Sequence, residues 1–192
     1  MAPGVLYRVI YGTPQPEAWQ RKLTTFRPAL LANHRRQRVY GCSYPAIVPC
    51  EGSTVRGNVV TGLTQGDVYR LDIFEGYQYR RVKVKVRVLK GVGLDEKAPQ
   101  GSPEATKGDA DVEEVEAETY VWKDDTQELE DGEWDFEEFK REKMLSWMGV
   151  TEVSDGVEVD EGFKDVDEAV RKDDMGGRGN GGDITKQLES AW

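Results

Sequence analysis

Two stretches of this 192-residue chain carry groups that could bind or move protons: Tyr11-Gly12-Thr13-Pro14-Gln15-Pro16 and Leu71-Asp72-Ile73-Phe74-Glu75-Gly76. In the first, a glycine at a bend lets backbone N–H groups approach an anion closely, and the Thr13 hydroxyl adds a further donor. In the second, Glu75 stands between apolar neighbours and a glycine. Read alone, it is either an ordinary turn carboxylate or an acid placed to act as a general base and then a general acid. An unperturbed glutamate has a pKa of about 4.3, and burial beside Ile73 and Phe74 would raise that value.

Other groups offer less. The chain holds two cysteines, Cys42 and Cys50, and one histidine, His34, so no His/Cys zinc cluster can be assembled from them. The cysteines read as reduced structural thiols, and His34, in "LANHRRQR", reads as a surface residue. No nucleophile elbow, P-loop or dinucleotide fingerprint is present.

The elements that must position these residues follow from local pattern. Val5 to Ile10 reads as a short buried strand running into the Tyr11 to Pro16 loop. Val39 to Pro49 reads as a strand pair or a kinked strand, and Val55 to Leu63 as a further strand. Thr64 to Glu75 changes period and reads as a short helix stopped by Gly76, which leaves Glu75 at the helix end. Val82, Val84, Val86 and Val88 alternate with Lys83, Lys85 and Arg87, the pattern of a half-buried strand. Val115 to Val121 alternates too. Antiparallel pairing of the two would set Glu116 and Glu118 against the basic stripe.

Asp135 with Glu138 resembles a helix-capping pair ahead of "FEEFKREKMLSWMG". Gly149 is the predicted stop, with Trp134, Phe139, Met144, Leu145, Trp147 and Met148 as the apolar stripe. The organisation expected is one domain over 1–149, containing a disordered Gly/Pro/acid-rich insertion at 90–114, and an acidic, Gly-rich tail over 150–192. A small docking helix over Ile184 to Trp192 is a further possibility.

Formal net charge is -10, and most of the acid lies beyond residue 108. This opposes nucleic acid or an anionic membrane as the main partner, despite Arg35, Arg36 and Arg38. No stretch approaches the ~20 apolar residues needed to span a bilayer, and Arg8 interrupts the apolar N-terminal run, so a cytoplasmic protein is expected.

"YGT", "YPAIVP", "VRG" and "LDIFEG", in that order, followed by Tyr79 and Arg81, resemble the gamma-glutamylcyclotransferase family, in particular its AIG2-like branch, over roughly residues 5 to 148. The resemblance implies an α+β fold: a small mixed β-barrel with peripheral short helices and a C-terminal helix. It implies a cofactor-free acyltransferase that cyclises a gamma-glutamyl amine or peptide to 5-oxoproline and releases the amine. Glu75 would be the catalytic acid, and Tyr11, Gly12, Thr13, Pro14, Gln15, Pro16, Tyr79 and Arg81 would contact substrate. Pro14, Gln78 and Arg80 depart from the branch pattern, at positions expected to choose the leaving group. The alternative is a non-catalytic AIG2-like binding module whose acidic insertion and tail recruit a protein partner.

Overall fold

The computed structural model describes residues 1–94, 113–147 and 161–172. Their contacts divide into two compact units: among the described residues unit 1 draws on 1–24, 62–77, 135–147 and 161–172, and unit 2 on 25–61, 78–94 and 113–134.

Unit 2 is an antiparallel sheet built on β1 (Thr25–Val39), β2 (Pro45–Thr61), β3 (Tyr79–Val88) and β4 (Glu113–Trp122), with β5 (Leu129–Glu133) pairing with β1. Strand order is β2-β1-β3-β4, an open path with no ladder from β4 back to β2 among the described residues. The α+β class is therefore present, and the closed barrel is not.

β1 holds the sheet together. Its first half pairs with Val55 to Thr61 of β2 and touches β3 at Ala29↔Val88, and its second half pairs with Pro45 to Pro49 and with β5. Between the halves the register shifts. Asn33 adopts a positive φ of 57°, its Oδ1 accepts a bond from the Gly52 N–H at 3.2 Å, and β2 bulges opposite it. β2 thus spans, as one irregular strand, what the sequence suggests as two separate ones.

The basic stripe on β3 meets β4 as the alternation predicts. Lys83 lies opposite Glu118 and Lys85 opposite Glu116. The ion pairs run diagonally: Arg81 to Glu118 at 3.2 Å, Lys83 to Glu116 at 3.6 Å and Lys85 to Glu114 at 3.2 Å. β4 begins two residues before the predicted strand, inside the span read as a disordered insertion; residues 95–112 of that span lie outside the described residues. Beneath the ladder, Ala29, Leu31, Val55, Val59, Val86 and Val88 form one apolar cluster. Val39, Ala46, Tyr79 and Trp122 form another.

Unit 1 is helical: α1 (Pro3–Tyr11), α2 (Ala18–Arg21), α3 (Gln65–Glu75), α4 (Phe136–Glu142), α5 (Met144–Trp147) and α6 (Glu161–Lys172). The first correction concerns α1, because Val5 to Ile10 is helical rather than extended. Pro3 at the first helical positions presets φ, Gly12 closes the helix at φ 74°, and Val5, Leu6, Val9 and Ile10 make a buried stripe at helical spacing. A short apolar run does not distinguish these outcomes by period alone.

The second correction concerns the C-terminal region. Residues 161–172, read as part of a solvated tail, fold into α6 and pack on α3, with Phe163 and Val166 buried. The remaining residues of 150–192, including 184–192, lie outside the described residues. The predicted helix from Asp135 is capped as expected, its carboxylate accepting bonds from the Glu137 and Glu138 N–H groups, but it stops at Glu142 and resumes as α5. Phe139 is buried and Trp147 partly so; Trp134 instead belongs to unit 2, and Met148 lies outside the described residues.

Candidate functional site

Glu75 is the last residue of α3 and half-buried. The helix that delivers it is fixed at both ends. At its start, the Thr64 hydroxyl accepts a bond from the Asp67 N–H at 3.2 Å, and the Asp67 carboxylate accepts one from the Thr64 N–H at 2.7 Å. This reciprocal box satisfies two N–H groups that a bare helix end would leave unbonded. At its end, Gly76 turns the chain at φ 71°, its N–H donating to the Asp72 carbonyl at 3.2 Å.

One turn of side chain anchors that end. The Phe74 ring lies 4.8 Å from Phe163 and 6.1 Å from Trp147, the latter edge-on. Trp147 also stands edge-on to Phe139 and Phe163, at 5.3 and 5.8 Å. Such pairs contribute about 0.5 to 1.5 kcal/mol each beyond burial. Because Phe74 is committed to this cluster, the backbone of its neighbour Glu75 is held with it.

The loop is set by α1. Tyr11 is buried and its hydroxyl donates to the Gln20 carbonyl at 2.9 Å, which tethers the two ends of the turn. Gly12 is exposed, in a left-handed conformation that a side chain would strain, and its N–H is bonded to the Arg8 carbonyl at 3.0 Å. The Gln15 N–H donates to the Thr13 hydroxyl at 3.3 Å. Thr13 and Pro14 are half-buried, Gln15 is exposed and Pro16 is buried.

A residue that sequence reading passed over joins the two parts. Arg70, only 4 % exposed, donates from α3 to the Ile10 carbonyl at 2.6 Å, one residue before the Tyr11-Gly12-Thr13 loop. A buried charge without partners is costly, so this bond pins the α1 terminus to the middle of α3. The available signal was an arginine set between Val68 and Leu71, the apolar positions of the predicted helix.

Tyr79 and Arg81 belong to unit 2, on β3. The Tyr79 hydroxyl donates to the Pro45 carbonyl at 3.0 Å and its ring stands edge-on to Trp122 at 5.2 Å, so it is part of the sheet core. Arg81 is exposed and bound to Glu118. Of the departures from the branch pattern, Gln78 donates to a Glu128 carboxylate oxygen at 3.2 Å.

The basic run also resolves into local contacts. The Arg36 guanidinium donates to the Arg56 carbonyl and lies 5.7 Å from the centre of the Trp134 ring, and burial pushes its pKa down. His34 places Nδ1 2.8 Å from the Ala32 carbonyl. Among the described residues no group of three or more His, Cys, Asp or Glu is placed to hold a metal ion, and no helix is long and apolar enough to cross a membrane.

Comparison with known proteins agrees with the ordered motifs. The family profile described as gamma-glutamyl cyclotransferase, AIG2-like, matches residues 9–136. The chain belongs to this family. Protein AIG2 C of Arabidopsis thaliana is 34% identical over 132 residues, covering 62% of this chain and 67% of that protein. AIG2-like protein B of the same plant is 30% identical over 163 residues, covering 85% and 76% respectively. A solution structure of an Arabidopsis thaliana protein is similar at 28% identity and a TM-score of 0.42, covering 78% of this chain and 93% of that one. The AIG2-like family assignment spans the loop, α3 and the whole sheet, and it stops before α5 and α6.

Proposed function

We propose that the chain is a gamma-glutamylcyclotransferase-like acyltransferase in which Glu75 moves the protons and the Tyr11 to Pro16 loop holds the substrate. The observation that carries the proposal is the Arg70 to Ile10 bond, which ties the helix bearing Glu75 to the terminus that leads into the loop. Family membership supplies the reaction class.

A gamma-glutamyl compound contains its own nucleophile. Glu75 takes a proton from the α-ammonium, and the freed amine attacks the γ-carbonyl carbon and closes a five-membered lactam. The attack leaves an oxyanion and a positively charged ring nitrogen. Glu75 gives its proton to the outgoing nitrogen, the bond to that nitrogen breaks as the oxyanion collapses, and the ring nitrogen loses its surplus proton to the freed Glu75 carboxylate, which passes it to the released amine. The products are 5-oxoproline and the amine. Holding the chain folded for this attack is worth roughly 7 to 11 kcal/mol in well-oriented cases, and the proton shuttle a further ~10² to 10⁴-fold.

The loop geometry narrows the donor. The Gly12 and Gln15 N–H groups are engaged within the loop, and Pro14 and Pro16 have none. The oxyanion is therefore assigned to the Thr13 N–H, with the Thr13 hydroxyl keeping its own hydrogen to donate.

The test is the purified full chain incubated with a panel of gamma-glutamyl amines and dipeptides beside Glu75→Gln. Release of 5-oxoproline by the wild type and its loss in a variant of unchanged thermal stability is the expected result. Equal background from both proteins on every donor removes the enzyme reading. It would leave the second one, a non-catalytic module, which the engagement of Tyr79 and Arg81 within the sheet favours.

A further inference from the structure

We infer that α6 positions the site: through Asp167 and Phe163 it fixes both the segment that precedes the loop and the end of α3 that bears Glu75. Neither residue lies in the 9–136 span that defines the family match, and neither does the arginine they engage, Arg8.

The contacts form a clamp with two jaws. On α1, the two terminal nitrogens of Arg8 donate to the two carboxylate oxygens of Asp167 at 2.7 and 2.6 Å, a bidentate fork. The same guanidinium lies 5.4 Å from the centre of the Phe163 ring, which suits a cation against an aromatic ring. The bond to Asp167 raises the Arg8 pKa above its ordinary value. On α3, Phe163 packs against Phe74, the residue before Glu75, at 4.8 Å.

Arg8 also supplies the carbonyl that accepts the Gly12 N–H and so closes α1 at the loop. One residue therefore receives α6 through its side chain and sets the loop through its backbone. A helix that served only to cover apolar surface would need Phe163 and Val166 but no fork to Arg8. The fork selects one rotational setting of α6, and with it one setting of Phe163 against Phe74. Asp167 and Phe163 are positioning residues; nothing assigns them contact with substrate.

The size of the effect follows from exposure. The two side chains are 18% and 38% exposed, so solvent screens the pair, and its loss should shift the local opening equilibrium by about two- to fivefold. The experiment uses the full chain, Asp167→Asn, and the exchanged pair Arg8→Asp with Asp167→Arg, followed by amide hydrogen exchange. In Asp167→Asn, exchange should rise two- to fivefold over 9–16, 70–76 and 161–172 while 82–88 and 115–121 stay unchanged, and the exchanged pair should recover protection. If 161–172 loosens and 9–16 and 70–76 do not, α6 is an appendage and the inference falls.

This exchange readout does not depend on turnover, although a catalytic consequence rests on the proposed cyclotransferase reading. Where the wild type releases 5-oxoproline, kcat in Asp167→Asn should fall by at most that factor, because the opened form stays a minority, and return in the exchanged pair; a larger fall would place Asp167 in the chemistry and overturn the positioning role. Where the wild type releases none from any donor, the cyclotransferase reading fails and the exchange pattern still decides the positioning role.

Discussion

Phe163→Ala is the sharpest perturbation of the helical unit. The ring is 2% exposed and lies among Phe74, Trp147 and Arg8, so truncation removes a fully buried aromatic side chain from a mixed aromatic and cationic pocket. Core Phe→Ala changes typically cost about 3 to 5 kcal/mol. That cost is borne first by α6, a helix of 12 residues, which is marginal on its own in water and owes its order to this packing. Opening of α6 should therefore become more than about a hundredfold more frequent, since each 1.4 kcal/mol is tenfold. The loss is also capped, because once α6 has left its place the ring has no native contacts left to lose. Amide exchange followed by mass spectrometry resolves the two cases: segments from 161–172 lose protection, and those from 82–88 and 115–121 keep it. Exchange in 161–172 within about threefold of wild type would refute the reasoning, because a ring whose removal costs so little is not a buried anchor.

Three other outcomes are expected. Gly62→Ala should destabilise by at least about 1 to 2 kcal/mol in thermal or urea melts, because φ there is +88° and an added Cβ would stand 2.1 Å from the Leu23 carbonyl oxygen. Arg70→Met should cost about 1.5 to 3 kcal/mol by removing a charged donor from the buried Ile10 carbonyl, and should speed exchange over residues 9–13. Replacing Lys83 and Lys85 together by Gln should change stability by less than about 1 kcal/mol, since all four partners in their ion pairs are mostly exposed; a larger change would mean the ladder holds the sheet together.

What could be read without coordinates was what depends on neighbours in sequence. The alternation of Val82 to Val88 with bases and of Val115 to Val121 with acids specified two strands and their partner. The Thr64 to Gly76 helix carried both its stop and its acid at the stop. β1 was missed because its signal is not local: Pro28 and the run His34-Arg35-Arg36-Gln37-Arg38 suppress strand propensity, and pairing with three other strands overrides it. α6 is hidden because its helically spaced Phe163, Val166 and Val170 stand within an acidic, Gly-rich stretch, and the face they mark is completed by an aromatic cluster distant in sequence. The placement of Tyr79 in the sheet core had no signal at all in a motif, since a motif records residue order and not which face of a strand is buried.

The two units do not follow the chain in blocks, and this bears on where the protein can be cut. A fragment trimmed to the family match, 9–136, keeps every residue of unit 2. It removes Pro3 to Arg8 from α1 and all of Phe139, Trp147, Phe163 and Val166, so Ile10, Leu71 and Phe74 would face water. Such a fragment would keep the sheet of unit 2 and leave an apolar helical surface of unit 1 exposed and prone to self-association. A piece that preserves Glu75 in its described setting has to reach at least from the first helix to Lys172, well beyond the end of the family match.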